Sequence, residues 1–72
     1  MKYAVVFEAG ERNFAAYVPD LPGCVSTGKT RAEVEENIKE AIEFHLEGLK
    51  ISGQPVPAPT AWVETIELPP VA

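Results

Sequence analysis

Hydrophobic and polar positions divide the chain into three patterns. Tyr3 to Glu8 and Phe14 to Val18 are short runs dominated by aromatic and β-branched residues, the composition of strands. Gly10-Glu11-Arg12-Asn13 between them is a polar turn. Pro19 ends the second run, since it lacks the N–H that a central strand would need. Cys24 to Thr27 reads as a short third strand closed by Gly28. The period then changes. At about 100° per residue, Val34, Ile38, Ala41, Ile42, His45 and Leu49 fall on one stripe with Leu46 at its edge. Helix is expected over 31–51, with Glu33, Glu36, Glu40, Glu43, Glu47, Lys39 and Lys50 on its remaining faces.

The ends of this helix are written in local chemistry. Thr30-Arg31-Ala32-Glu33 fits a capping box, in which the threonine hydroxyl accepts from the Glu33 amide and the Glu33 carboxylate reaches back to the Thr30 amide. Gly53 stands where a helix exit takes a left-handed residue, and Pro55 blocks continuation. Pro55-Val56-Pro57-Ala58-Pro59 favours an extended connection. Trp62 to Leu68 reads as a fourth strand, stopped by Pro69-Pro70.

The loop between the second and third strands organises the rest. In Pro19-Asp20-Leu21-Pro22-Gly23, proline presets the first central dihedral of a type II turn and glycine supplies the positive φ of the second. Asp20 is expected to fold its carboxylate onto backbone two residues on.

Parity of the connections gives a topology. Three strands on short turns alternate in direction, the helix returns the chain, and the fourth strand runs parallel to the first through a right-handed crossover. The expected architecture is α+β: a three- to four-stranded, mainly antiparallel β-β-β-α-β sheet with one long helix on one face. Both faces of the first two strands are apolar, with Tyr3, Val5 and Phe7 opposing Ala4 and Val6. One helix covers one face only, so the other face or a free edge is expected to meet a second copy in a homo-oligomer.

Length and charge narrow the function. Seventy-two residues form one domain, 1–72, and so short a chain buries only about 60% of its unfolded surface. Eleven acids against six bases give a net charge of −5, which repels nucleic-acid phosphates and suits a basic protein partner. The apolar run before Glu8 is too short for a signal-peptide core or a membrane span. One cysteine allows no internal disulfide and suggests no metal pair, in keeping with a cytoplasmic location.

Candidate chemistry is sparse. His45 is the single histidine, lies within the apolar stripe, and reads as a packed, hydrogen-bonded side chain. Cys24 reads as a small buried hydrophobe. Paired-metal catalysis needs converging carboxylates, whereas strand carboxylates are limited to Glu8, Glu64 and Glu67. The chain is therefore expected to be no enzyme, with no catalytic residue, metal site or cofactor.

The run Pro19 to Gly28, with Thr30, Ala32, Glu33, Glu36, Asn37, Ile38, Ala41 and Ile42 and then Gly53, Pro55, Val56 and Pro57, resembles the N-terminal domain of HicB-type antitoxins from Tyr3 to about Val63. The resemblance implies a truncated ribonuclease-H-like fold. It also implies a stand-alone antitoxin domain that binds and masks a small, basic, RNA-cleaving HicA-like toxin. Partner contacts are then expected on the loop Asp20, Leu21, Pro22 and Gly23 and on the helical acids Glu36, Glu40, Glu43 and Glu47. The alternative is a homo-oligomeric structural or regulatory module with no cognate toxin. Many HicB-type antitoxins continue into a C-terminal DNA-binding segment, whereas this sequence stops at Ala72, so no direct DNA contact through such a segment is expected.

Overall fold

A computed structural model describes residues 1–71. Strands β1 (Val6–Ala9), β2 (Phe14–Tyr17) and β3 (Val25–Gly28) form an antiparallel sheet in the order β1-β2-β3, followed by helix α1 (Arg31–Ile51). The α+β architecture and the helix limits agree with the sequence reading, while the strands are shorter and β1 starts at Val6 rather than Tyr3.

Register assigns the faces. Phe7 pairs with Ala16, Ala9 with Phe14, Phe14 with Gly28 and Ala16 with Ser26, so these side chains share the helix side of the sheet. Val6, Glu8, Ala15, Tyr17, Val25 and Thr27 take the other. Ala16, Val18, Leu21, Cys24, Val34 and Ile38 form the buried core, with Tyr3, Val5, Phe14, Ala41, Ile42 and Leu46 packed around it. The helix lies across β3 and β2 and leaves β1 uncovered. This offset leaves Phe7 45% exposed although it faces the helix side.

Close approach of helix to sheet depends on Gly28. A Cβ at that position would stand 2.6 Å from the Val34 amide nitrogen and 2.9 Å from its Cα, inside van der Waals contact with backbone that cannot rotate away. The helix start sits on this contact. Thr30 Oγ1 accepts from the Glu33 amide at 3.0 Å, as the capping box requires, but Glu33 Oε1 accepts from the amide of Lys29 at 3.1 Å, one residue beyond the expected Thr30. The exit is a Schellman closure: the Gly53 amide donates to Lys50 O at 3.2 Å, the Gln54 amide to Leu49 O at 2.9 Å, and Gly53 has φ +71°.

The last expectation is not met. Trp62 to Leu68 forms no strand with this sheet. The chain leaves α1 in extended form, passes Tyr3, whose hydroxyl donates to Pro57 O, and is then held at Thr60 and Ala61 by Asp20 in the β2–β3 loop. This route crosses the end of the sheet instead of returning along β1, so the parallel crossover does not form. The radius of gyration is 14.7 Å, against about 11 Å for a compact domain of this length, and the long dimension is 54 Å.

Candidate partner-binding surfaces

The β2–β3 loop is two stacked turns. The Leu21 amide donates to Val18 O at 3.1 Å and the Cys24 amide to Leu21 O at 3.0 Å. With Pro22 and Gly23 central to the second turn and φ +83° at Gly23, the glycine takes the dihedral that a type II turn demands. The four loop candidates have different fates. Leu21 is fully buried, at 0% exposure, so its role is to anchor the loop in the core and it offers no surface to a partner. Pro22 and Gly23 form the exposed tip.

Asp20 does not make the local bond expected of it. Its Oδ2 accepts from the amides of Thr60 and Ala61, both at 3.0 Å, and its Oδ1 accepts from Thr60 Oγ1 at 2.6 Å. The Thr60 hydroxyl foremost, then the amides of Ala61 and Thr60, hold the carboxyl below the ordinary aspartate range by stabilising its charged form. The expected local bond has no donor, because the residue two positions on is Pro22, which lacks an N–H. The carboxylate is met instead by two successive backbone donors forty residues away, which no short-range signal in the sequence announces.

Glu36, Glu40, Glu43 and Glu47 are all exposed. Their spacings of four, three and four put the carboxylates on one helical stripe, opposite buried Val34 and Ile38. Phe44, 80% exposed, lies beside this stripe: four residues after Glu40, it is rotated about 40° from it on the helix. Ile51, also 80% exposed, continues the apolar side seven residues on. The sequence reading passed over both. The available signal was Phe44 itself, an aromatic lying off the apolar stripe of its own helix.

His45 is half-buried on the sheet side of α1. Cys24 is buried at 3% exposure, and burial pushes its thiol up, away from the reactive thiolate. Among the described residues, no group of three or more His, Cys, Asp or Glu is placed to hold a metal ion, and no helix is long and apolar enough to cross a membrane. A groove of about 270 Å³ opens beside β1, lined by Phe7, Ala9, Phe14 and Val34 with Glu8, Arg31 and Glu35 at its walls.

Residues 3–70 match the family described as HicB-like antitoxin of bacterial toxin-antitoxin system. A UPF0150 protein of Thermoplasma acidophilum is 42% identical over 62 residues, covering 85% of this chain and 90% of the relative. An uncharacterized 14.9 kDa protein of Haemophilus phage HP1 is 40% identical over 57 residues, covering 79% of this chain but only 43% of the phage protein. In structure, a chain of a HicA3 and HicB3 toxin-antitoxin complex superposes with a TM-score of 0.71 at 34% identity, covering 82% of this chain and 69% of that one. With the family model matched over nearly the whole chain and a relative 42% identical over 85% of it, the chain belongs to the HicB-like antitoxin family.

Proposed function

We propose that this chain is the antitoxin domain of a toxin-antitoxin pair and neutralises a small, basic, RNA-cleaving HicA-like toxin by covering the surface that RNA would occupy. The observation that carries this reading is the exposed face of α1, where Glu36, Glu40, Glu43 and Glu47 run beside the exposed Phe44. An aromatic anchor flanked by like charges is the composition of a protein-binding patch: the ring supplies desolvated contact and the charges steer a cationic partner. Membership of the antitoxin family and likeness to a toxin-antitoxin complex support the same role.

Neutralisation on this account is steric and electrostatic, with no bond made or broken by the antitoxin. A chain of net charge −5 competes with RNA phosphates for the same cationic surface. The exposed tip Pro22-Gly23 provides a second, rigid contact beside Asp20. The domain acts as a homo-oligomer, since β1 is an outer strand of the sheet and α1 leaves it uncovered. Its single buried cysteine suits the reducing cytoplasm.

The test is recovery of the full chain with its partners from its own cells at low and at moderate salt, followed by an RNA-cleavage assay on any small basic protein recovered. The expected result is a basic ribonuclease that is lost as salt rises and inhibited when the chain is added back. Recovery of no such protein, or RNA cleavage unaffected by a stoichiometric amount of the chain, would overturn the proposal.

A further inference from the structure

The segment following Ala61 carries the surface left unexplained by toxin masking. Trp62, Val63, Ile66 and Leu68 are 67% to 80% exposed, in a run whose β-branched and aromatic content is that of a strand. Within its own chain the segment forms neither helix nor strand. Among the described residues, its one side-chain bond beyond Ala61 is internal, from Trp62 Nε1 to Glu64 Oε2 at 2.7 Å.

The same chain holds an edge that lacks a strand. β1 is an outer strand, and α1 leaves it uncovered, so an added strand beside it would shelter Phe7 and close the groove against Ala9, Phe14 and Val34. The opposite edge is partly occupied, because Thr27 O on β3 already accepts from Asn37 Nδ2 at 2.9 Å. The tail does not reach its own β1. It passes Tyr3 at Pro57 and is then fixed at Asp20 by Thr60 and Ala61, travelling from the β1 side towards the β2–β3 loop and away from the free edge.

We propose that residues 62–68 of one copy add as a fourth strand to the open edge of β1 in a second copy, and that the exchange is mutual. Each copy carries one unmet tail and one unmet edge, so a two-fold pair satisfies both at once. A second copy is the occupant because it presents both complements in equal number. This inference names the contact for the homo-oligomer proposed above and is independent of toxin binding.

The test uses the full chain without toxin, in sedimentation equilibrium and amide hydrogen exchange, beside the variant Ile66→Pro. Proline removes a ladder donor, and Ile66 is 80% exposed in its own chain, so the monomer fold is left intact, as circular dichroism verifies. The expected result is a mass of two chains or a multiple of two, slow exchange over residues 63–68, and at least ~10-fold weaker self-association with fast tail exchange in the variant. Three results would overturn the proposal: a single-chain mass at high protein concentration; a two-chain mass unchanged by Ile66→Pro, which moves the contact to the sheet face around Tyr17 and Val25; or tail amides that become slow only when a basic toxin is added. A paired mass with no toxin recovered from cells would leave the strand exchange standing and remove the antitoxin reading.

Discussion

Asp20 and Thr60 are forty residues apart in sequence and joined twice, through the Thr60 amide at 3.0 Å and the Thr60 hydroxyl at 2.6 Å. With the Ala61 amide as third donor, this carboxylate decides where the chain goes after its helix. Asp20→Ala is expected to release the segment from residue 60 onward, raising hydrogen exchange at the Thr60 and Ala61 amides while α1 stays protected. Unchanged exchange at both amides would show that the bonds do not hold the tail.

The same clamp has a pH dependence of known sign. Its donors lower the folded-state pKa of Asp20, so the charged form is favoured by folding and the contribution is complete above the ordinary aspartate value of about 3.9. It fades as pH falls through that value and is lost below the lowered folded pKa. Exchange at Thr60 and Ala61, corrected for its intrinsic pH dependence, is expected to accelerate in acid in the native chain and to show no such step in Asp20→Ala.

Gly28→Ala is expected to destabilise the domain by about 1–3 kcal/mol, the usual cost of overpacking. The added methyl would lie 2.6 Å from the Val34 amide nitrogen, and relief requires moving the start of α1 off β3. Thermal unfolding measures this as a fall in Tm of about 4–8 °C per kcal/mol for a domain of this size. A variant as stable as the parent would contradict the close approach.

Leu21→Ala separates the two roles of the loop. Leu21 is wholly enclosed, so truncation is expected to cost about 2–5 kcal/mol of folding stability, the range for a buried leucine. Denaturant titration measures it. A loss well under 1 kcal/mol would return Leu21 to the list of surface candidates.

Phe44→Ala is expected to leave stability within about 0.5 kcal/mol, as for surface substitutions generally, because Phe44 is 80% exposed. Toxin affinity is expected to fall by ~10-fold or more, the loss of an interface anchor. Thermal unfolding checks the first statement and calorimetric titration with the recovered toxin the second, each against the parent chain.

Legibility in the sequence followed the range of the interaction. Thr30, Gly23 and Gly53 act through bonds to residues at most five positions away, and cap, turn and exit were readable in place. Ile38 and Val34 were readable because burial repeats with the helical period. Asp20 was misread on two counts: Pro22, two residues on, has no N–H to give the expected Asx bond, and the actual partners, Thr60 and Ala61, lie outside any local window. The fourth strand was misread for the related reason that Trp62 to Leu68 has strand composition but its pairing depends on where Asp20 sends it. On the candidate surface the acids were visible as a stripe, whereas Phe44 was passed over because it lies on neither the apolar stripe nor the acidic one, about 40° round the helix from Glu40.

The most direct test of the central claim is the inhibition of RNA cleavage by the recovered toxin, titrated with the native chain and with a chain carrying Glu36→Gln, Glu40→Gln, Glu43→Gln and Glu47→Gln together. The account predicts complete inhibition by the native chain, with a midpoint that rises steeply with salt, and a weakened, salt-insensitive inhibition by the variant. Equal midpoints and equal salt dependence for the two chains would contradict masking by the acidic face of α1.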